Sequence, residues 1–246
     1  MQPMSKPTEQ REPTRQERMK RQRILRTRRR ATREDLGLTP AEYRTLANLS
    51  TPYKIQDFLD RIPANFEIGG ETCLSVREVL RQDRALCIEG AFVAAAALWV
   101  HGEPPLLLDL KAEHDADHVV TLFRRNGRWG AISKTNHVPL RWRDPVYRSV
   151  RELAMSYVHE YANKRHQKTL RLYSVPLDLR RVDPALWVTN PKHCWEITVL
   201  LDELRHYRLM SPRQARGMRL RDATERRAQE LLQWPKPKEK AKAGPR

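Results

Sequence analysis

Cys87 is the residue whose type and setting are best suited to covalent chemistry. It lies where a polar segment meets an alanine-rich, apolar run over 91–100. Alanine is the best helix former, and a helix that is apolar on nearly every side should be buried, so we predict a buried helix headed by Cys87. Backbone N–H groups at a helix N-terminus lower a thiol pKa, which makes Cys87 a candidate nucleophile. Most free cysteines are small core residues, and that alternative stays open.

A candidate base, His118, is placed by a β-hairpin. Two β-rich runs, 118–125 and 128–135, flank Asn126-Gly127, the strongest short hairpin signal. A two-residue turn fixes the register of the two strands. Because side chains alternate between faces along a strand, His118 and Ser133 then share one face as diagonal neighbours.

The elements around this hairpin are a mixture of helices and strands. We predict a single α+β domain, in which the helix headed by Cys87 packs on a small antiparallel sheet with flanking helices. Helix starts are predicted at Thr39-Pro40, Thr51-Pro52 and Ser75, helices over 149–161 and 195–209, and strands over 106–110 and 170–175.

The order of these motifs resembles the transglutaminase-like core of the cysteine-protease-like fold. A Cys-headed helix ends at His101-Gly102, prolines and a strand follow, and a His-led strand leads through Gly127-x-Trp129 into a third strand. In that family the helix-leading Cys is the nucleophile and the strand-leading His is its base. The resemblance, over residues 70–135, therefore implies these roles for Cys87 and His118.

The residue that orients the catalytic histidine in this family, an acid near the end of the third strand, is not matched in this chain. Where the family has an acid, usually Asp, this chain has Ser133, which can accept a hydrogen bond from an imidazole but brings no charge. Asn136 is an alternative, although the register points it to the other face, and Asp115 or Asp117 could supply charge from the preceding loop. Three interpretations of the site remain open. It is active with a weaker orienting residue, it is active with an orienting residue elsewhere in the sequence, or it is an inactive module that binds without catalysing.

The resemblance implies a reaction class if the site is active. The Cys87 thiolate would attack an amide carbonyl of a protein or peptide substrate, with His118 accepting the thiol proton. Water as the acceptor would make the protein a peptidase or amidase, and an amine would make it a cross-linking acyltransferase. No cofactor is expected.

The basic charge of the chain is concentrated at its two ends. Of a formal net charge of +17, residues 1–35 hold 12 basic and 5 acidic side chains, and residues 205–246 hold 13 and 4. We therefore expect a basic, disordered arm (1–35), a transglutaminase-like domain (36–210), and a C-terminal segment (211–246) made of a basic helix over 213–234 and a disordered tail. Such ends favour an acidic partner, an anionic membrane surface or non-specific nucleic-acid binding.

Composition argues against several classes of protein. The apolar run 91–100 is ten residues long, well short of the roughly 20 that a membrane span requires, and no apolar secretory signal is present. Three widely spaced cysteines without a CxxC pair argue against a disulfide framework and a structural zinc site. His114 and His118 have a metal-binding spacing only on a helix, which is not predicted there. We expect a soluble, cytoplasmic protein.

Overall fold

The chain folds around a buried helix that packs on an antiparallel sheet. A computed structural model of the protein describes residues 30–237. The helices are α1 (Arg33–Leu36), α2 (Pro40–Asn48), α3 (Pro52–Arg61), α4 (Val76–Gln82), α5 (Cys87–Val100), α6 (Val150–Met155), α7 (Trp195–Glu203), α8 (Pro212–Arg216) and α9 (Ala223–Glu230). The strands are β1 (Leu106–Ala112), β2 (His118–Arg125), β3 (Arg128–Ile132), β4 (Arg143–Tyr147), β5 (Leu170–Ser174), β6 (Leu177–Asp178) and β7 (His206–Arg208).

The predicted α+β class is confirmed. The strands run in the order β4-β3-β2-β1-β5-β7, β6 also pairs with β1, and every pairing is antiparallel. Helix α5 packs on β2 with α2, α3 and α4 around it, and a second apolar cluster under α6 covers the opposite face of the sheet. Within residues 30–237 no helix combines the length and apolar character needed to cross a membrane.

Local capping signals determine where the first helices begin. Thr39 accepts a hydrogen bond from Glu42 N while the Glu42 carboxylate accepts one from Thr39 N, and Pro40 occupies the first turn of α2. Thr51 and Ser75 cap α3 and α4 through their side-chain oxygens, which accept hydrogen bonds from Lys54 N and Glu78 N. These three predicted helix starts are therefore confirmed.

The hairpin has the predicted register but a shorter third strand. Arg125 pairs with Arg128 and Thr121 with Ile132, after which β3 ends, before the expected end at residue 135. The reason is a side chain: the Gln56 amide accepts a hydrogen bond from Ser133 N and donates one to Ser133 O, both at 2.9 Å. Gln56 thus takes the place of a neighbouring strand at Ser133.

Three predicted helices are shorter than expected. The helix predicted over 149–161 ends at Met155, and the chain then continues in tight turns in which most of the N–H groups over 156–160 bond a carbonyl three residues back. The helix over 195–209 ends at Glu203, because the following residues, His206–Arg208, form the edge strand β7. The basic helix predicted over 213–234 is divided into α8 and α9.

Arg221 explains the break between α8 and α9. It is a buried residue whose guanidinium donates to the backbone carbonyls of His159 and Glu160, so this part of the basic segment is drawn into the body of the protein. At the other end, Ala31 is buried and its N–H bonds Trp99 O. The packed body thus includes residues expected to lie in the basic arm, while 1–29 and 238–246 lie outside the described residues.

Gly90 in α5 is required by a close approach. A Cβ at this position would lie 2.4 Å from Lys134 Cβ, an atom fixed to the backbone. We expect Gly90→Ala to lower the free energy of unfolding by about 2 kcal/mol, as for overpacking in a core. Chemical unfolding monitored by circular dichroism measures this, and Gly69→Ala is the matched control because no atom lies within 4 Å of its added Cβ. Equal stability of the two variants would contradict the close packing of Gly90 on Lys134.

Candidate functional site

Cys87 opens onto a cavity at the N-terminus of α5. It is the first residue of the helix, after the extended Leu86, and the 13 residues that follow it, Ile88–Val100, are all buried. The cavity has a volume of about 490 Å³, and Cys87 and His118 both line it. The structure thus brings the predicted nucleophile and the predicted base into one cavity.

Glu89 organises the loop that forms one wall of this cavity. Its fully buried carboxylate accepts hydrogen bonds from Leu86 N at 2.6 Å, Leu74 N at 2.8 Å, Thr72 Oγ1 at 2.7 Å and Asn65 Nδ2 at 3.2 Å. These donors come from three separate stretches of chain, and one of them is the amide just before Cys87. Glu89 therefore fixes the start of α5 and the loop beside it.

The His118 ring is held by a two-step relay. Its Nε2 lies 2.8 Å from Ser133 Oγ, and that hydroxyl donates to Leu140 O at 2.6 Å. A serine has one hydroxyl hydrogen, so when it donates to the Leu140 carbonyl it must accept from Nε2–H of His118. The neutral ring therefore has Nδ1 as its basic nitrogen. Of the four candidate orienting residues that the sequence left open, Ser133 is the one hydrogen-bonded to His118 within residues 30–237.

Cys87 and His118 approach one another at the end of the sheet. By strand alternation His118 belongs to the face of β2 that carries Val120 and Leu122, whereas α5 packs on the opposite face. The thiol lies beside the N–H of Val119, the residue after His118. Within residues 30–237 no hydrogen bond joins the thiol to the imidazole.

Both titratable groups are shifted toward their neutral forms. Burial raises the pKa of the Cys87 thiol; the N–H groups of Val119 and Ile88 oppose this, and the Glu89 and Asp109 carboxylates add to it. Burial also lowers the pKa of His118 to about 4, with Leu140 O opposing and the Arg143 charge assisting. The resting site is therefore a neutral thiol with a neutral imidazole, not the preformed thiolate that the helix N-terminus alone suggests.

Lys134, the residue after Ser133, helps to hold Ser133 in place beside His118. Its buried ammonium donates to Leu59 O at 2.9 Å, in the last turn of α3, and to Ile62 O, just after the end of that helix. Burial lowers the pKa of Lys134 to about 8. Together with the Gln56 bonds, this contact ties α3 to Ser133 and so fixes the residue that orients His118.

The resemblance to known proteins is confined to short motifs. No protein-family model matches this chain, and no curated protein matches it. The likeness to the transglutaminase-like family therefore rests on the order and spacing of the motifs around Cys87 and His118. Within residues 30–237 no group of His, Cys, Asp and Glu side chains is arranged to hold a metal ion.

The other candidate orienting residues have different partners. Asn136 bonds the backbone N and O of Trp234. Asp115 accepts from Thr169 Oγ1, and Asp117 accepts from Ala112 N. Both aspartates line the cavity, but neither is hydrogen-bonded to His118 within the described part of the chain.

Two features of the site were missed by the sequence analysis. Gln56 bonds Ser133, 77 residues further along the chain, and no local pattern identifies that contact. Glu89 is recognisable in the sequence as an acid in the first turn of the helix, but its bonds to Asn65, Thr72 and Leu74 are not. The second is the C-terminal strap, residues 229–237, which the charge pattern predicts to be part helix and part tail. Leu232 and Lys236 line the cavity, and Gln233 donates to Asp60 O at 2.6 Å. The apolar Leu231, Leu232 and Trp234 in an otherwise polar segment are the signal that could have shown it.

Proposed function

We propose that this protein is a transglutaminase-like, cysteine-dependent acyl-transfer or amide-hydrolysing enzyme. Cys87 is the nucleophile, His118 the base and Ser133 the residue that orients the base. The observation that carries the proposal is the relay from Leu140 O through Ser133 to His118 Nε2, because it leaves Nδ1 basic in a cavity that Cys87 also lines. Several apolar side chains of the lining (Phe66, Leu86, Leu140 and Leu232) suit a protein or peptide substrate.

The neutral pair determines the order of the steps. As the Cys87 sulfur attacks a substrate carbonyl, its proton passes to His118 Nδ1, so charge separates only once the attack begins. The imidazolium then protonates the leaving amine, and a thioester remains on Cys87. Water or a second amine then attacks the thioester carbonyl as it gives a proton to Nδ1. The C–S bond breaks, the acyl group is released, and the Cys87 sulfur takes the proton from Nδ1, which restores the neutral pair. Proton transfer requires Nδ1 to come within hydrogen-bonding distance of Sγ, so substrate binding must close the gap between the two groups.

The positive charge that forms on His118 has only a neutral partner. Ser133 can accept a hydrogen bond but does not balance the charge, unlike the carboxylate of the family. The backbone N–H groups of Ile88 and Val119, which approach the thiol, are the donors available to an oxyanion at this position. The proposed enzyme is therefore slower than one with a charged orienting residue.

Acylation of Cys87 by p-nitrophenyl acetate tests the proposal. We expect an acetyl adduct on Cys87, detected by mass spectrometry of proteolytic peptides, and no adduct on Cys73 or Cys194, which are buried. His118→Asn should slow acylation by about a hundredfold, and Cys87→Ser should remove the adduct. Circular dichroism of each variant checks that it is folded. Acetylation of Cys87 at the same rate with and without His118 would contradict the proposed dyad.

A second candidate is a catalytically inactive interaction module of the same fold. The specific observation that favours it is the neutral pair, with a raised thiol pKa and a lowered imidazole pKa, beside an uncharged orienting residue. Such a module would leave Cys87 unacylated in the experiment above while keeping its fold.

A further inference from the structure

A second cavity, the basic groove, lies away from Cys87 and His118. It has a volume of about 870 Å³ and runs between the end of β1, the start of β5 and the segment 208–220 that contains α8. Five of its lining residues are cations, Lys111, Lys168, Arg171, Arg208 and Arg216, and one is a carboxylate, Glu113. The segment 208–220 belongs to the basic C-terminal end, so part of that charge is folded into a concave surface.

Two of these cations are already neutralised. Lys111 Nζ lies 2.6 Å from Asp202 Oδ1, and Arg171 Nε lies 2.8 Å from Glu113 Oε2. Arg208 and Arg216 make no side-chain hydrogen bond or ion pair within residues 30–237. The groove therefore carries positive charge that the described residues do not balance, and an anionic ligand can interact with it.

Lys168 is a cation held in place with its bonding capacity unused. Its side chain is only 9% exposed, which restricts its rotamers, yet the nearest carboxylate oxygen, Glu225 Oε1, is 4.0 Å from Nζ. That is beyond hydrogen-bonding distance, and within residues 30–237 its ammonium donates no hydrogen bond. A buried stem whose ammonium makes one long ion pair, at 4.0 Å, and no hydrogen bond is the arrangement that a bound anion would complete, at little further entropic cost.

The floor of the groove indicates which anion fits. It includes the half-buried side chains of Leu172, Met210 and Met218, with the exposed Leu220 beside them, and none of the described residues that line the groove is Phe, Tyr or Trp. Methionine and leucine accommodate aliphatic side chains, whereas single-stranded nucleic acids are bound largely by stacking bases on aromatic rings. We propose that the basic groove binds an acidic polypeptide segment, with carboxylates on Lys168, Arg208 and Arg216 and aliphatic side chains on the floor.

Binding of a synthetic acidic peptide tests this assignment. The probe is a fluorescein-labelled peptide of glutamate and leucine residues, and its partner is the same peptide with glutamine in place of glutamate. By fluorescence anisotropy with the full chain we expect binding of the glutamate peptide alone, weakening as salt is raised. The double variant Lys168→Gln/Arg208→Gln should bind the peptide roughly tenfold more weakly or worse.

The control variant removes the same charge from another part of the surface. Arg44 and Arg148 are exposed and lie outside the groove, so Arg44→Gln/Arg148→Gln should bind the peptide as the unmodified protein does. Equal weakening in both double variants would overturn the proposal, because binding would then follow net charge alone. Absence of peptide binding would also overturn the proposal. So would tighter binding of oligodeoxythymidine than of the peptide, if the groove variant weakened that binding.

Discussion

Replacing Glu89 with glutamine is expected to lower the free energy of unfolding by about 3 kcal/mol. The Glu89 carboxylate is fully buried and every group hydrogen-bonded to it is a donor: two backbone amides, a hydroxyl and a side-chain amide. Glutamine has almost the same shape, but its NH₂ group would face one of these donors. The variant therefore loses a charged acceptor and gains a buried donor–donor contact.

Urea unfolding monitored by tryptophan fluorescence measures the change. Glu103→Gln is the matched control, because the Glu103 carboxylate makes an ion pair with Arg125 at 2.7 Å in a partly exposed position. Loss of that pair should cost about 1 kcal/mol or less. Similar losses in the two variants would contradict the role of Glu89 as the residue that fixes the start of α5.

The hairpin and the buried helix could be predicted because their signals are local. Asn126-Gly127 determines the turn, the turn determines the register, and the register places His118 and Ser133 on one face. The alanine-rich run likewise determines both the helix and its burial. These parts of the site depend on neighbours within a few residues, which a sequence shows directly.

Contacts between distant residues could not be predicted in the same way. Gln56 ends β3 by bonding Ser133, 77 residues further along the chain. Arg221 interrupts the helix predicted over 213–234 by bonding backbone carbonyls 61 and 62 residues earlier in the chain. A polar side chain that replaces a strand or interrupts a helix has no periodicity of its own. Such residues appear in the sequence as ordinary surface glutamines and arginines.

The electrostatics of Cys87 show the same limit. Its position at a helix N-terminus predicts a lowered thiol pKa, yet the pKa is raised because burial dominates and the Glu89 and Asp109 carboxylates lie near. The side chain that secures the start of α5 thus also adds negative charge beside the nucleophile. What this site lacks is a compensating charge at His118, which points to Ser133 as the position to change.

Ser133→Asp is expected to convert the neutral pair into a reactive one. A carboxylate beside His118 Nε2 stabilises the imidazolium and should raise the pKa of His118 from about 4 toward its ordinary value of 6.5. A positive imidazole in turn favours the Cys87 thiolate. Each pKa unit by which the thiol pKa falls increases the thiolate fraction at pH 7 about tenfold, so alkylation of Cys87 by iodoacetamide should accelerate by that factor or more.

The pH dependence of Cys87 alkylation is measured with Cys73 and Cys194 replaced. It separates the effect of a negative charge beside His118 from the effect of a changed side-chain shape at residue 133. In the unmodified site the rate should rise only as the pH passes a raised thiol pKa, whereas in Ser133→Asp it should already be appreciable near neutral pH. Ser133→Asn is the matched control, because its amide can accept from Nε2–H and donate to Leu140 O without adding charge. NMR titration of Ser133→Asp shows whether the pKa of His118 has risen. If it has risen and Cys87 still reacts no faster than in Ser133→Asn, the thiol and the imidazole are not coupled. Cys87 and His118 then do not form a catalytic pair.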